Sequence, residues 1–201
     1  MVKEDLNYFS EKEKGFMNKF KHLRNEVFLP ISKILMRAGL TANLVSYIGF
    51  FILIGFIFYV NKNPILASVF LLLHVLIDAF DGPLARLMKQ DGSSGAFIDI
   101  LCDHTGMVAV IITLIYANLI NPVLAAAYIY LYTVMIIFVI VRNKLKTPIK
   151  FVIRTKYYVY ILYAAFAFLH VNYLDIGLII FNLLMIPSII TSYFVIKKAL
   201  R

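Results

Sequence analysis

The stretch DAFDGPLARLMKQDGSSGAFIDILCD, Asp78 to Asp103, sets carboxylates into two apolar segments and parts those segments with a short polar turn, QDGSSG (90–95). Glycine, serine and aspartate in such a run are turn chemistry. Before the turn Asp78 and Asp81 stand three residues apart, and after it Gly95, Asp99 and Asp103 recur every four, so each set lines one face of a helix. So short a connection implies an antiparallel pair. Asp81 lies about ten residues before the turn and Asp99 about five after it, which at roughly 1.5 Å per residue puts both sets within about 6–15 Å of the same end. The two acidic faces can therefore meet.

Outward from this stretch the chain is oily. Its 201 residues are 62% hydrophobic with a mean hydropathy of +0.85, well beyond an ordinary soluble domain. Runs and breakers together give six spans, at 42–60, 65–88, 95–119, 122–141, 156–170 and 176–196, several approaching the roughly 20 residues that cross a bilayer. Period-2 alternation is absent, and every backbone group in lipid needs a partner, so helices and not a barrel are expected. The fold class read from the sequence is all-α: a polytopic membrane protein with six transmembrane helices, residues 41–201, preceded by an amphipathic interfacial segment, residues 1–40.

Charge orients the bundle. Of 20 Lys and Arg, eight precede the first span, Arg86 and Lys89 flank the 90–95 turn, six lie in 142–156 and three follow residue 196, leaving only Lys62 for the opposite side. The positive-inside rule places both termini and the loops 90–95 and 142–155 in the cytoplasm. The net charge of +9 fits attraction to anionic membrane lipids, and with no groove-reading motif beside it nucleic acid is not an expected partner. Ser10 and Glu13 have capping-box spacing, and Phe9, Phe16, Phe20, Leu23 and Val27 alternate with Lys12, Lys14, Lys19, Lys21 and Arg24, as a helix lying on the membrane would. Pro30 is expected to break it before a second amphipathic piece, ISKILMRAGL. The single cysteine, Cys102, excludes an intrachain disulfide.

After Glu26 no glutamate occurs, and five of the six remaining aspartates fall between 78 and 103. Asp91 belongs to the turn; Asp78, Asp81, Asp99 and Asp103 are in helices. Four close carboxylates in a low-dielectric bundle need a compensating cation. Hard divalent ions, Mg²⁺ or Mn²⁺, take oxygen ligands and bridge to phosphate, so a metal site is the economical reading. Gly82, Ala85 and Gly95 leave room on the acidic faces for a substrate, although small residues also serve close helix packing. Pro83 deprives the Ala79 carbonyl of its helical partner and is expected to bend the second span. His74, one turn before Asp78, and His104 read chiefly as packing or hydrogen-bonding residues.

The pattern Asp78-x2-Asp81-Gly82-x2-Ala85-Arg86-x8-Gly95-x3-Asp99-x3-Asp103 resembles the signature of the CDP-alcohol phosphotransferase family at all eight fixed positions. LTANLVS (40–46) is also similar to the family's entry into its first span, with Ala42 where proline is common. The resemblance implies transfer of a phosphatidyl-type group from a CDP-linked lipid, such as CDP-diacylglycerol, to a small alcohol acceptor with release of CMP. It implies Asp78, Asp81, Asp99 and Asp103 as ligands to two Mg²⁺ or Mn²⁺ ions, with Asp103 also the general base. Gly82, Ala85, Arg86 and Gly95, with Asn43 from the first span, would line the CDP site, and a homodimer is the family's usual state. The basic run 142–156 then offers Arg142, Lys144 and Arg154 to a phosphorylated acceptor, glycerol 3-phosphate or an inositol phosphate. Plain positive-inside topology would explain the same charges, and serine or another unphosphorylated alcohol is the alternative acceptor. A cation- or proton-coupled transporter is the rival from another class, but its site would sit near the midplane between repeated halves, and no repeat is visible. A catalytically inert scaffold would not need all four aspartates.

Overall fold

The computed structural model of the chain describes residues 28–89, 93–149 and 154–200, and every regular element among them is helical. A helical stretch at 28–37 (α1) is followed by α2 (Ala42–Tyr59), α3 (Pro64–Leu87), α4 (Ser93–Tyr116), α5 (Pro122–Lys144), α6 (Thr155–Leu169) and α7 (Leu174–Ala199). The six expected spans thus correspond to α2–α7. Five of them are long and apolar enough to cross a membrane; α6, at 15 residues, is shorter than the 18 that the shortest of the others reaches. At 1.5 Å per residue α6 covers about 22 Å, less than the roughly 30 Å hydrocarbon core. Among the described residues there are therefore five full-length spans and a short sixth helix.

Local chemistry explains the helix starts. Asn63 and Asn121 each precede a proline that takes the first helical position; the Asn63 side chain accepts the Leu66 N–H at 3.0 Å, and the Asn121 side chain accepts that of Val123 at 2.9 Å. The cap satisfies an otherwise orphaned N–H while proline has none to lose. Thr41 caps α2 in the same manner through Leu44. Phe28 and Leu29 are helical together with Pro30; the rest of the amphipathic segment, 1–27, lies outside the described residues, and with it the junction at which the break was expected. α3 runs on through the buried Pro83 to Leu87.

The helices close a ring. α2 packs on α3, α3 on α6, α6 on α7, α7 on α5, α5 on α4 and α4 back on α2. α3 and α4, adjacent in sequence, are not among these principal packing pairs: the expected antiparallel neighbours each lean on α2 and face one another across the interior. Glycines permit that closeness. A Cβ on Gly106 of α4 would stand 2.9 Å from the Leu53 side chain of α2, and one on Gly49 of α2 would stand 3.2 Å from Ile77 of α3. One apolar cluster, including Leu53, Phe56, Leu71, Met107, Ile111, Tyr128, Tyr163 and Leu178, draws on each of α2–α7. A smaller one, Ala42, Val45 and Leu84 with Leu35 and Leu40 against it, fastens the end of α1 to α2 and α3. The outer surface is apolar too, with Phe51, Leu72, Ile112, Val123, Ile161 and Leu183 exposed, as lipid-facing positions should be.

Candidate active site

The helical spacings carry Asp78 and Asp81 on α3 and Asp99 and Asp103 on α4 into the gap that the ring leaves between those helices. One carboxylate oxygen each from Asp78, Asp99 and Asp103 lie within 4.8 Å of one another. The Asp78 and Asp103 side chains are 18% and 19% exposed, enclosed but still reachable. Asp81 is buried more deeply beside this trio and accepts a hydrogen bond from Ser46 Oγ of α2 at 3.0 Å. Three oxygens from carboxylates so close together form a donor set that fits a hard divalent cation.

α6 enters the site from the other side of α3. The Lys156 ammonium, 2% exposed, lies 2.6 Å from Asp103 Oδ1 and 3.6 Å from Asp78 Oδ2. Tyr157 Oη donates to Asp78 Oδ2 at 3.2 Å. Between α5 and α6, the buried Thr155 and Tyr128 hydroxyls are hydrogen-bonded at 2.8 Å. The first turn of α6 is thus tied to α3, α4 and α5 at once.

Sequence reasoning grouped Lys156 with the basic loop and did not single it out. The signal was present: Lys156, Tyr160, Tyr163 and Ala167 recur at helical spacing, and all four are buried. Ser46 and Tyr157 were missed as well, since a lone hydroxyl in an apolar helix carries no motif.

The residues expected to contact a nucleotide gather at the same end of the ring. Asn43 lies in the first turn of α2, and Gly82, Ala85 and Arg86 in the last two turns of α3, all partly exposed, as is Gly95 in the first turn of α4. Ala85 also packs on the small Ala42–Val45–Leu84 cluster. The three expected acceptor ligands divide. Arg142 donates through Nε to Thr147 O at 2.7 Å, through Nη2 to Pro148 O at 3.2 Å and through Nη1 to Ser192 Oγ at 3.2 Å, so its guanidinium clamps the α5–α6 loop onto α7. Lys144 is exposed at the end of α5, and Arg154 occupies the N-cap of α6, two residues from Lys156.

His74 and His104 each make a hydrogen bond between helices. The Nδ1–H of His74 donates to the Gly49 carbonyl at 2.9 Å, joining α3 to α2. His104 Nε2 is hydrogen-bonded with Thr133 Oγ1 at 3.2 Å, and its ring stacks on Tyr132.

Among known proteins, an archaetidylinositol phosphate synthase of Pyrococcus horikoshii is 38% identical over 76 residues, 37% of this chain. The match spans 40% of that curated relative's length. The fold is similar to the crystal structure of a Mycobacterium tuberculosis phosphatidylinositol phosphate synthase with CDP-DAG bound, with a TM-score of 0.70, 18% identity and coverage of 85% of this chain and 94% of that one. A structure of the same enzyme in complex with manganese and citrate gives a TM-score of 0.67 at 19% identity, covering 83% and 87%. The family model for CDP-alcohol phosphatidyltransferase matches residues 39–195, from the turn before α2 to within the last helix, and includes every carboxylate of the site. This chain belongs to the CDP-alcohol phosphatidyltransferase family.

Proposed function

We propose that the protein transfers a phosphatidyl-type group from a CDP-linked lipid, CDP-diacylglycerol in the simplest case, to an inositol phosphate, releasing CMP. The observation that carries this reading is the convergence of the Asp78, Asp99 and Asp103 carboxylates within 4.8 Å, from helices that bear all eight positions of the family signature. The names of the two relatives described above, synthases of archaetidylinositol phosphate and phosphatidylinositol phosphate, favour an inositol phosphate over glycerol 3-phosphate or serine as acceptor.

In the proposed reaction the acceptor hydroxyl attacks the lipid-bearing phosphorus of the diphosphate, the bond from that phosphorus to the bridging oxygen breaks, and CMP departs with the electron pair. Asp103 accepts the hydroxyl proton as the new phosphodiester forms. Asp78, Asp99 and Asp103, with Asp81 alongside, would hold Mg²⁺ or Mn²⁺, which supplies charge neutralisation at the diphosphate and at the leaving CMP oxygen. Asn43, Gly82, Ala85, Arg86 and Gly95 shape the nucleotide's place. Lys144, exposed at the end of α5, and Arg154, at the N-cap of α6, would meet the acceptor phosphate, whereas Arg142 acts on it indirectly by fixing the loop between them.

The site lies where such a reaction needs it. Asp78 is nine residues from the end of α3 at Leu87, about 13 Å at the helical rise, so a lipid tail in the bilayer and a water-borne nucleotide can both reach it. Arg86, Arg142, Lys144, Arg154, Lys197 and Lys198 lie at or near helix ends on the side of the α3–α4 turn, which supports placing that side in the cytoplasm.

The test is CMP release from CDP-diacylglycerol by the purified protein with inositol phosphate, glycerol 3-phosphate, inositol and serine offered separately. Release with inositol phosphate alone is expected. Release only with serine or free inositol would overturn the phosphorylated acceptor, and none with any acceptor would overturn the donor.

A further inference from the structure

Lys156 is the most deeply buried cation described in the chain, and its position is not what membrane topology alone would produce. A lysine in the first turn of a helix can extend its stem to the headgroups, as snorkelling side chains do. This one turns inward until 2% of it is exposed. Burying an ammonium without a partner costs several kcal/mol. The anions that offset that cost are Asp103 at 2.6 Å and Asp78 at 3.6 Å, two of the three carboxylates that converge. The Tyr157 ring, 4.7 Å from Nζ, and the Thr155–Tyr128 hydrogen bond hold the same turn in place.

We propose that Lys156 is a positioning residue of the carboxylate site, a tethered cation that engages Asp103 and Asp78 from α6 and shares their oxygens with the divalent metal. The inference rests on the proposed reaction for its kinetic consequence and on the geometry alone for its consequence in metal binding. By engaging Oδ1 of Asp103, the ammonium fixes the orientation in which that carboxylate meets the acceptor hydroxyl. Because it draws on the same carboxylates as the metal, it also sets how tightly metal is held. Together with the Tyr157–Asp78 hydrogen bond, the lysine links α6 to the trio.

The experiment uses the full chain in detergent, with Mn²⁺ as the probe followed by electron paramagnetic resonance and, separately, with steady-state CMP release. Lys156→Met keeps the length of the side chain and removes its charge. Mn²⁺ affinity should rise about tenfold, because a competing positive charge is gone. kcat should fall about 10- to 100-fold while KM for the CDP-lipid stays within about twofold, because the lysine orients a base without touching the donor. Lys156→Arg should recover a large part of kcat. Unchanged or weakened Mn²⁺ binding in folded Lys156→Met would overturn the proposal, as would a raised KM with kcat retained. Lys156→Gln serves the same comparison if the methionine variant does not fold. Should no acceptor support CMP release at all, the Mn²⁺ titration still decides the role of Lys156, so the two readings fail separately.

Discussion

The two ends of the helical ring are built on opposite principles from the same helices. Toward the end bearing the α3–α4 turn, α3 and α4 present Asp78, Asp81, Asp99 and Asp103, and α2 and α6 add Ser46, Lys156 and Tyr157 to them. Toward the other end, α2 and α4 present Leu53, Phe56, Val110, Ile111 and Leu114, which close on Tyr163 and Leu178. The apolar half is held by dense packing, since lipid offers little hydrophobic drive between helices. In the polar half like charges are crowded and cannot hold the helices together by themselves; they depend on cations and on the apolar half as a frame. The difference teaches that the frame and the chemistry are separable in this molecule, and each can be disturbed alone.

The sharpest break of that separation is removal of metal. With chelator in excess, CMP release should drop to background while the helical circular dichroism signal is unchanged, and Mn²⁺ or Mg²⁺ should restore it. Full turnover in chelator would sever the polar half from metal chemistry. Next in size, Asp103→Asn should lower kcat by about 10²- to 10⁴-fold, the usual worth of a positioned base, with the fold intact by size-exclusion chromatography. Turnover near that of the parent would remove Asp103 from the base role.

Disturbing the frame should have the converse signature. Phe56→Ala opens a cavity at a position that is fully buried against Tyr163, and should lower the melting temperature in detergent by about 5–10 °C. The surviving folded protein should keep its kcat within about twofold. A large loss of kcat at unchanged melting temperature would show that the halves are coupled after all. Smallest is the effect of Lys144→Ala, which should raise KM for a phosphorylated acceptor a few-fold and leave KM for the CDP-lipid alone. Arg142→Ala should instead raise both KM values, with a loss of thermal stability, because it frees the α5–α6 loop from α7.

Much of this architecture was legible in the residues. Asn–Pro at 63–64 and at 121–122 opens helices for reasons contained in two residues, and the three- and four-residue spacing of the aspartates fixes which face they share wherever that helix is placed. The fifth span, read as 156–170, is matched by α6 at 155–169 to within one residue at each end. The polar run HVNYLD (170–175) announces its end, and His170 there adopts a left-handed conformation, φ 56°.

What the sequence by itself determined, then, is what depends on local periodicity and on composition: an all-helical membrane chain, the start points of its helices, and two acidic faces at one end. What only the tertiary structure decided is what depends on neighbours distant in the chain. α2 stands against both α3 and α4 and keeps those two apart, so the carboxylates meet across a gap and not along a packed seam. Among the described cations between residues 142 and 156, Lys156 turns into the site, while Arg142 is engaged by its own loop. The direction a charged side chain takes is set by which oxygens the surrounding helices bring within reach, and that is a property of the closed ring, which no single helix carries.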